Sequence, residues 1–239
     1  MGREEDDDLA VFLHAHRARS LSRGSDSDDA ESSRGASRLS GGLTAYLLAA
    51  GEGRRFGRSK PLAPFHGRTV LDRVASAFRP HALEVVLVAR MEDEPLLSEA
   101  ARLGLRVVAN PNPELGMASS VAVAVTDCCT EWLALCPCDL PLLTSEIVGR
   151  VVRALDAGPL GDTEVIQPEA EGRRKHPVIL KRSWIEAFLP QLAEDTPLRE
   201  ILEKARALTV PFQDPLPFRD FDTRQEYESL LDAGAGEVK

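Results

Sequence analysis

The residues best suited to chemistry fall in one run, Leu48-Ala49-Ala50-Gly51-Glu52-Gly53-Arg54-Arg55-Phe56-Gly57-Arg58-Ser59-Lys60-Pro61-Leu62. Small residues at Ala49, Ala50, Gly51 and Gly53 let a flat base and a polyphosphate come close to the main chain. The free N–H groups of such a loop are directed donors for phosphate oxygens. Arg55 and Lys60 add fixed positive charge where the outer phosphates of a triphosphate would lie. The spacing is neither G-x-G-x-x-G nor G-x-x-x-x-G-K-S/T, so this is not a dinucleotide fingerprint or a Walker loop.

Four other segments carry groups that could face the same ligand. Cys136-Pro137-Cys138-Asp139-Leu140-Pro141 ends an apolar run, and its Asp139 either points into a ligand crevice or opens a turn. Asn110 precedes a Gly116-Met117-Ala118-Ser119-Ser120 run, whose serines either meet an anion or simply start a helix. Asp220-Phe221-Asp222-Thr223 stands before the last amphipathic stretch, where helix capping would explain Asp222 and Thr223 without any chemistry. Arg173-Arg174-Lys175-His176 is a basic run entering an apolar one, and a solvated loop would look the same. His66 and His81 read as surface histidines, Trp132 and Trp184 as core or edge packing.

These groups need a scaffold, and the hydrophobic pattern supplies one. Buried strands are predicted at 44–49, 83–89, 105–109, 131–136, 164–167, 177–180 and 207–211. Helices are predicted at 69–78, 93–103, 116–125, 144–155, 183–189, 197–205 and 224–231, with Thr144 as a cap. Such alternation predicts an α/β fold: a three-layer, mostly parallel sheet with helices on both faces. Ligands of these sheets sit beyond the carboxyl ends of the strands, where Ala49, Ala109 and Cys136 fall.

The chain has 239 residues, 43% of them hydrophobic, which is enough for one large packed domain over residues 43–239. Residues 1–42 are acidic, Ser-, Gly- and Arg-rich, and predict a disordered N-terminal tail. A net charge of −9 argues against nucleic acid or an anionic membrane as partner. No stretch is apolar enough to span a bilayer and the N-terminus lacks a secretory pattern, so a cytoplasmic location is expected. Cys128, Cys129, Cys136 and Cys138 lack the spacing of paired zinc ligands and read as ordinary thiols.

The run from Leu48 to Lys60 resembles the L-A-A-G-x-x-x-R-M/F-G-x-x-K signature of the MobA-like nucleotidyltransferases. Ala49-Ala50-Gly51 and the four residues between Arg55 and Lys60 bring it closest to the molybdenum cofactor cytidylyltransferase (MocA-like) branch. The similarity runs over residues 43–232 and implies a Rossmann-like nucleotidyltransferase fold. It further implies transfer of CMP from CTP to a phosphate-bearing acceptor such as molybdenum-molybdopterin, with release of pyrophosphate. Arg55, Lys60 and Asp139 would then be catalytic. Leu48, Ala49, Ala50, Gly51, Glu52, Gly53, Arg55, Lys60 and Asn110 would hold the nucleotide; Ser119, Ser120 and His176 would hold the acceptor. Asp139 and Asp222 would bind Mg2+. Transient contact with a molybdoenzyme or a cofactor carrier would follow. Leu140 departs from the glutamine that the family often has after this aspartate. The alternatives are a molybdenum cofactor guanylyltransferase, a sugar-phosphate nucleotidyltransferase, and a non-catalytic nucleotide or cofactor carrier. Retention of Arg55, Lys60 and Asp139 together weighs against the carrier.

Overall fold

In this computed structural model, residues 42–51, 56, 59–155 and 161–235 are described. The expected tail lies outside them except for Gly42, as do Glu52, Gly53 and Arg55 of the glycine-rich loop.

The strands are β1 (Leu43–Leu48), β2 (Pro64–Phe65), β3 (Arg68–Thr69), β4 (Glu84–Ala89) and β5 (Arg106–Ala109). They continue with β6 (Trp132–Pro137), β7 (Val165–Ala170), β8 (Arg173–Arg174), β9 (Val178–Lys181) and β10 (Ala207–Pro211). The helices are α1 (Val70–Phe78), α2 (Glu94–Arg102), α3 (Met117–Asp127), α4 (Ser145–Arg153), α5 (Arg182–Ile185), α6 (Leu189–Ala193), α7 (Leu198–Leu202) and α8 (Arg224–Gly234). An eight-stranded sheet runs in the order β10-β7-β9-β6-β1-β4-β5, with β8 paired to β7.

Each central strand is apolar on both faces because both faces are covered. Along β1, Leu43, Ala45 and Leu47 join the core under α1, α2, α4 and α8, while Tyr46 and Leu48 join the core under α3, α5, α6 and α7. Strands β4 and β6 split the same way, Leu87 and Ala134 to one side, Val88 and Leu135 to the other. Burying one such leucine contributes about 1.5–3 kcal/mol. The three predicted layers are thus present.

Local chemistry sets the helix starts. Thr69, Asp93, Thr144 and Thr223 each accept a hydrogen bond from a first-turn N–H, and Thr223 forms a full capping box with Glu226. Between β7 and β9 there is no helix, so the chain returns by hairpin and β9 lies antiparallel to both β6 and β7. Strict alternation fails there. Two turns, His66-Gly67 and Glu171-Gly172, have positive φ at both central residues (47° and 77°, 54° and 66°). That conformation closes two-residue hairpins, and it makes β2–β3 and β7–β8. The helix predicted at 183–189 is interrupted: α5 passes through a 3-10 turn at Glu186–Phe188 and restarts as α6, with Pro190 in its first turn. His81 is half-buried and fixed on the Ser145 carbonyl and hydroxyl at 2.8 and 3.0 Å.

The sheet order places the site. From β1 the chain moves outward through β4 to β5, then crosses over α3 to β6 on the other side of β1. Helices α1 and α2 cover one face and α3 the other. The carboxyl ends of β1 and β6 therefore flank a topological switch point, where loops part and leave a crevice.

Candidate active site

A cleft of about 640 Å³ opens at that switch point. Its floor is Leu48, Ala49, Ala50 and Gly51 from the end of β1 and Pro137, Cys138 and Asp139 from the end of β6. The two strand ends are tied together, since the Cys138 N–H donates to the Leu48 carbonyl at 3.3 Å. Arg90, just after β4, donates from Nε to the Ala50 carbonyl at 2.7 Å and fixes Ala50 from the other side. Pro113, Glu114, Gly116, Met117 and Ser120 form the wall below α3.

Lys60 reaches across this cleft. Its Nζ lies 3.2 Å from Asp139 Oδ2 and 2.6 Å from Asp222 Oδ1. Residues far apart in the chain thus meet in one charged cluster, and aromatic packing explains how. Phe56 stacks edge-on against Phe221 and Tyr227 with ring centroids 5.0 and 5.3 Å apart. Phe221 is buried, and the Lys60 ammonium stands 5.5 Å from its ring centroid. The returning arm of the glycine-rich loop is so pinned to the segment that begins α8.

Burial alone would lower the Lys60 pKa, but the hydrogen bond to Asp222 and the charge of Asp139 outweigh it and hold the ammonium above the usual lysine value. Burial pushes the Asp139 carboxyl up, Lys60 opposes, and Asp220 and Asp222 add to the rise. Asp139 Oδ1 is buried and has no hydrogen-bond partner. A buried carboxylate oxygen with an open lone pair, beside a second carboxylate, is a donor set for a hard divalent cation such as Mg2+ or Mn2+. Among the described residues no three Asp, Glu, His or Cys side chains converge as a cage. Magnesium does not need one, because phosphate oxygens and water complete its shell.

The other predicted site residues are placed as follows. Asn110 is buried, its Nδ2 donating to Ser119 Oγ and Ser120 Oγ at 2.9 Å each and its Oδ1 accepting from the Asn112 N–H at 3.0 Å. Ser119 donates onward to the Gly116 carbonyl at 2.8 Å. This trio clasps the loop between β5 and α3, and of the three only Ser120 lines the cleft. Asp222 touches Lys60, while the cap of α8 is Thr223. His176 faces a second cleft, on the α3 and α7 side of β7 and β9. The thiols of Cys136 and Cys138 are buried, and burial pushes both far above the range in which thiolate forms. Sequence reasoning missed Arg90 and Glu114; a charged residue directly after a buried strand was the available signal for Arg90.

This arrangement can be compared with known proteins. The MobA-like NTP transferase domain profile matches residues 45–209. The chain belongs to the MobA-like NTP transferase family. It is a nucleotidyltransferase. A molybdenum cofactor guanylyltransferase of Shewanella halifaxensis is 25% identical over 203 residues, 82% of this chain and 96% of that protein. A nucleotidyl transferase from Methanothermobacter superposes with a TM-score of 0.66 at 18% identity, covering 82% of this chain and 99% of its own. Rv0371c of Mycobacterium tuberculosis, solved as a complex with manganese, gives a TM-score of 0.60 at 24% identity over 80% of this chain and 99% of its own. These two likenesses show the fold alone. Within this MobA-like chain, Lys60 and Asp139 lie in the matched span, whereas Asp222 lies beyond it.

Proposed function

We propose that this protein transfers a nucleoside monophosphate from a nucleoside triphosphate to the terminal phosphate of a molybdopterin-type acceptor, with GTP as donor. The observation that carries the reading is the Lys60–Asp139–Asp222 cluster at the switch point, opposite the small-residue loop. The name borne by the Shewanella relative supports a guanylyl donor and a molybdopterin acceptor. CTP remains a second reading, because Ala50 and the spacing of Arg55 and Lys60 resemble the cytidylyl branch. The cytoplasm is the proposed location.

In this reaction an oxygen of the acceptor phosphate attacks the α-phosphorus, the bond from that phosphorus to the β-phosphate bridge breaks, and pyrophosphate leaves. The attacking phosphate is already ionised, so no strong general base is needed. Catalysis then consists of alignment and charge neutralisation. Backbone N–H groups of Ala50 and Gly51 would cradle the phosphates, the Ala49 N–H being held by the Val88 carbonyl at 2.9 Å, and Lys60 with Arg55 would hold the leaving pyrophosphate. Asp139 and Asp222 would hold a divalent cation, whose contribution is to neutralise phosphate charge; the manganese complex of Rv0371c supports that assignment. The test is a thermal-shift panel of GTP, CTP, UTP, dTTP and ATP with magnesium, followed by pyrophosphate release with acceptor. The largest shift is expected with GTP. A larger shift with CTP moves the protein to the cytidylyl branch, and no shift with any nucleotide overturns the reading.

A further inference from the structure

Arg90 meets Ala50 at the point where β1 and β4 stop pairing. The parallel register ends at Leu48 and Val88, and the Ala49 N–H still donates to the Val88 carbonyl at 2.9 Å. One residue on, the Ala50 carbonyl takes its hydrogen bond from a side chain, the Nε of Arg90 at 2.7 Å. Arg90 springs from a fixed base, because the carbonyl of Ala89 accepts the Asn110 N–H at 2.9 Å and ties this strand end to the segment after β5. A side chain thus continues the ladder where the main chain leaves it.

The peptide that joins Ala50 to Gly51 is trans, so its carbonyl and its N–H point in opposite directions. A carbonyl held on Arg90 turns the Gly51 N–H away from β4. The neighbour of β1 on its far side is β6, which leads to Asp139, and Gly51 and Asp139 line the same cleft. The bond from Arg90 is also charge-assisted: it draws electron density toward the Ala50 oxygen and makes the N–H of the same peptide a stronger donor.

Gly51 itself leaves room for a ligand. A Cβ added there would meet nothing within 4 Å, and its φ is not positive. Neither packing nor backbone conformation asks for glycine at this position. What the missing side chain provides is close approach to the main chain from the cleft.

We infer that Arg90 is a positioning residue for the triphosphate: it sets the Ala50–Gly51 peptide so that the Gly51 N–H meets a phosphate oxygen. Its part is played through that peptide and not by its charge on the phosphates. The inference rests on the proposed reaction and deepens it, by naming what orients one of the donors of the loop.

Two substitutions separate the donor from the charge. Glutamine carries a nitrogen donor as many bonds from Cα as the Nε of arginine, without charge. Lysine keeps the charge but places a methylene at that point. GTP and CTP are each titrated with magnesium into the full chain by calorimetry, so that the choice of base is not at stake. Arg90→Lys should weaken the tighter-binding nucleotide about tenfold, the loss expected for one hydrogen bond to a charged partner, whereas Arg90→Gln should stay within about threefold of the parent. An amide spectrum of the free chain, labelled with heavy nitrogen at glycine, reads the geometry without nucleotide. The Gly51 peak, identified by its absence from Gly51→Ala, should move further in Arg90→Lys than in Arg90→Gln. Affinity near the parent's in Arg90→Lys, a loss in Arg90→Gln as large as in Arg90→Lys, or a Gly51 peak that moves no further in Arg90→Lys overturns the inference and spares the proposed reaction. Absence of binding of either nucleotide to the parent overturns both.

Discussion

At the scale of single residues, Asp139 separates a metal-binding site from an ordinary turn. Asn keeps its shape and most of its hydrogen bonding but not its charge. If Asp139 holds a cation against phosphate, Asp139→Asn should lower pyrophosphate release by roughly a hundredfold or more. Circular dichroism of the variant should match the parent; turnover within about threefold of it would make Asp139 structural. Lys60→Met is expected to lower turnover as well, and to destabilise, because it leaves Asp139 buried without its counter-charge. A variant that melts above the parent would show that the ion pair is a strain at rest. Much of this cluster was legible in the sequence, because Lys60 and Asp139 sit at fixed offsets from strand ends that hydrophobic pattern reveals. The clasp of Asn110 with Ser119 and Ser120 was not. Nothing in a string of residues says that two hydroxyls will turn inward onto an amide rather than outward onto an anion.

Between residues and the whole molecule lie the elements, and their energetics are decided by close contacts. Gly149 sits inside α4, where alanine would ordinarily gain about 1 kcal/mol of helix propensity. A Cβ there would meet His81 Cε1 at 2.7 Å, and that ring is tied to Ser145. Overpacking costs about 1–3 kcal/mol, more than the propensity gain. Gly149→Ala should therefore destabilise, and the same change in a His81→Ala background should stabilise; urea unfolding of the four proteins checks both signs. On the same sheet face, Asp72 and Glu99 hold their pKa values below the ordinary carboxylate range, through hydrogen bonds from Arg68 and Arg102 respectively. A depressed carboxylate stabilises above its unfolded pKa and loses that stabilisation as pH falls through the folded one. Arg68→Gln should thus lower the melting temperature at pH 7 and cease to matter well below pH 3.8, the ordinary value for Asp72. The predicted elements fell close to their places because burial on two faces writes long apolar runs. The two-residue arms β3 and β8 escaped because an element of two residues has no period, although each follows an X-Gly pair.

For the whole molecule, the family match begins at residue 45 and β1 at Leu43. Deletion of residues 1–42 is expected to leave the melting temperature within about 2 °C and nucleotide binding unchanged; insolubility of the shortened chain would contradict this. The parallel core was foreseeable from alternation, while the antiparallel insertion of β9 depended on the absence of one helix between two strands.

The pinning of Asp222 and Phe221 against Lys60 and Phe56 also has a consequence in time. The sheet up to β6 can pair as the chain is synthesised, since its strands are contributed in order. The residue that completes the charged cluster, Asp222, lies past β10, after every strand of the sheet. A nascent chain therefore carries Lys60 and Asp139 before Asp222, the second carboxylate of the cluster, has been made. Translation itself delays assembly of the cluster until every strand of the sheet has been made.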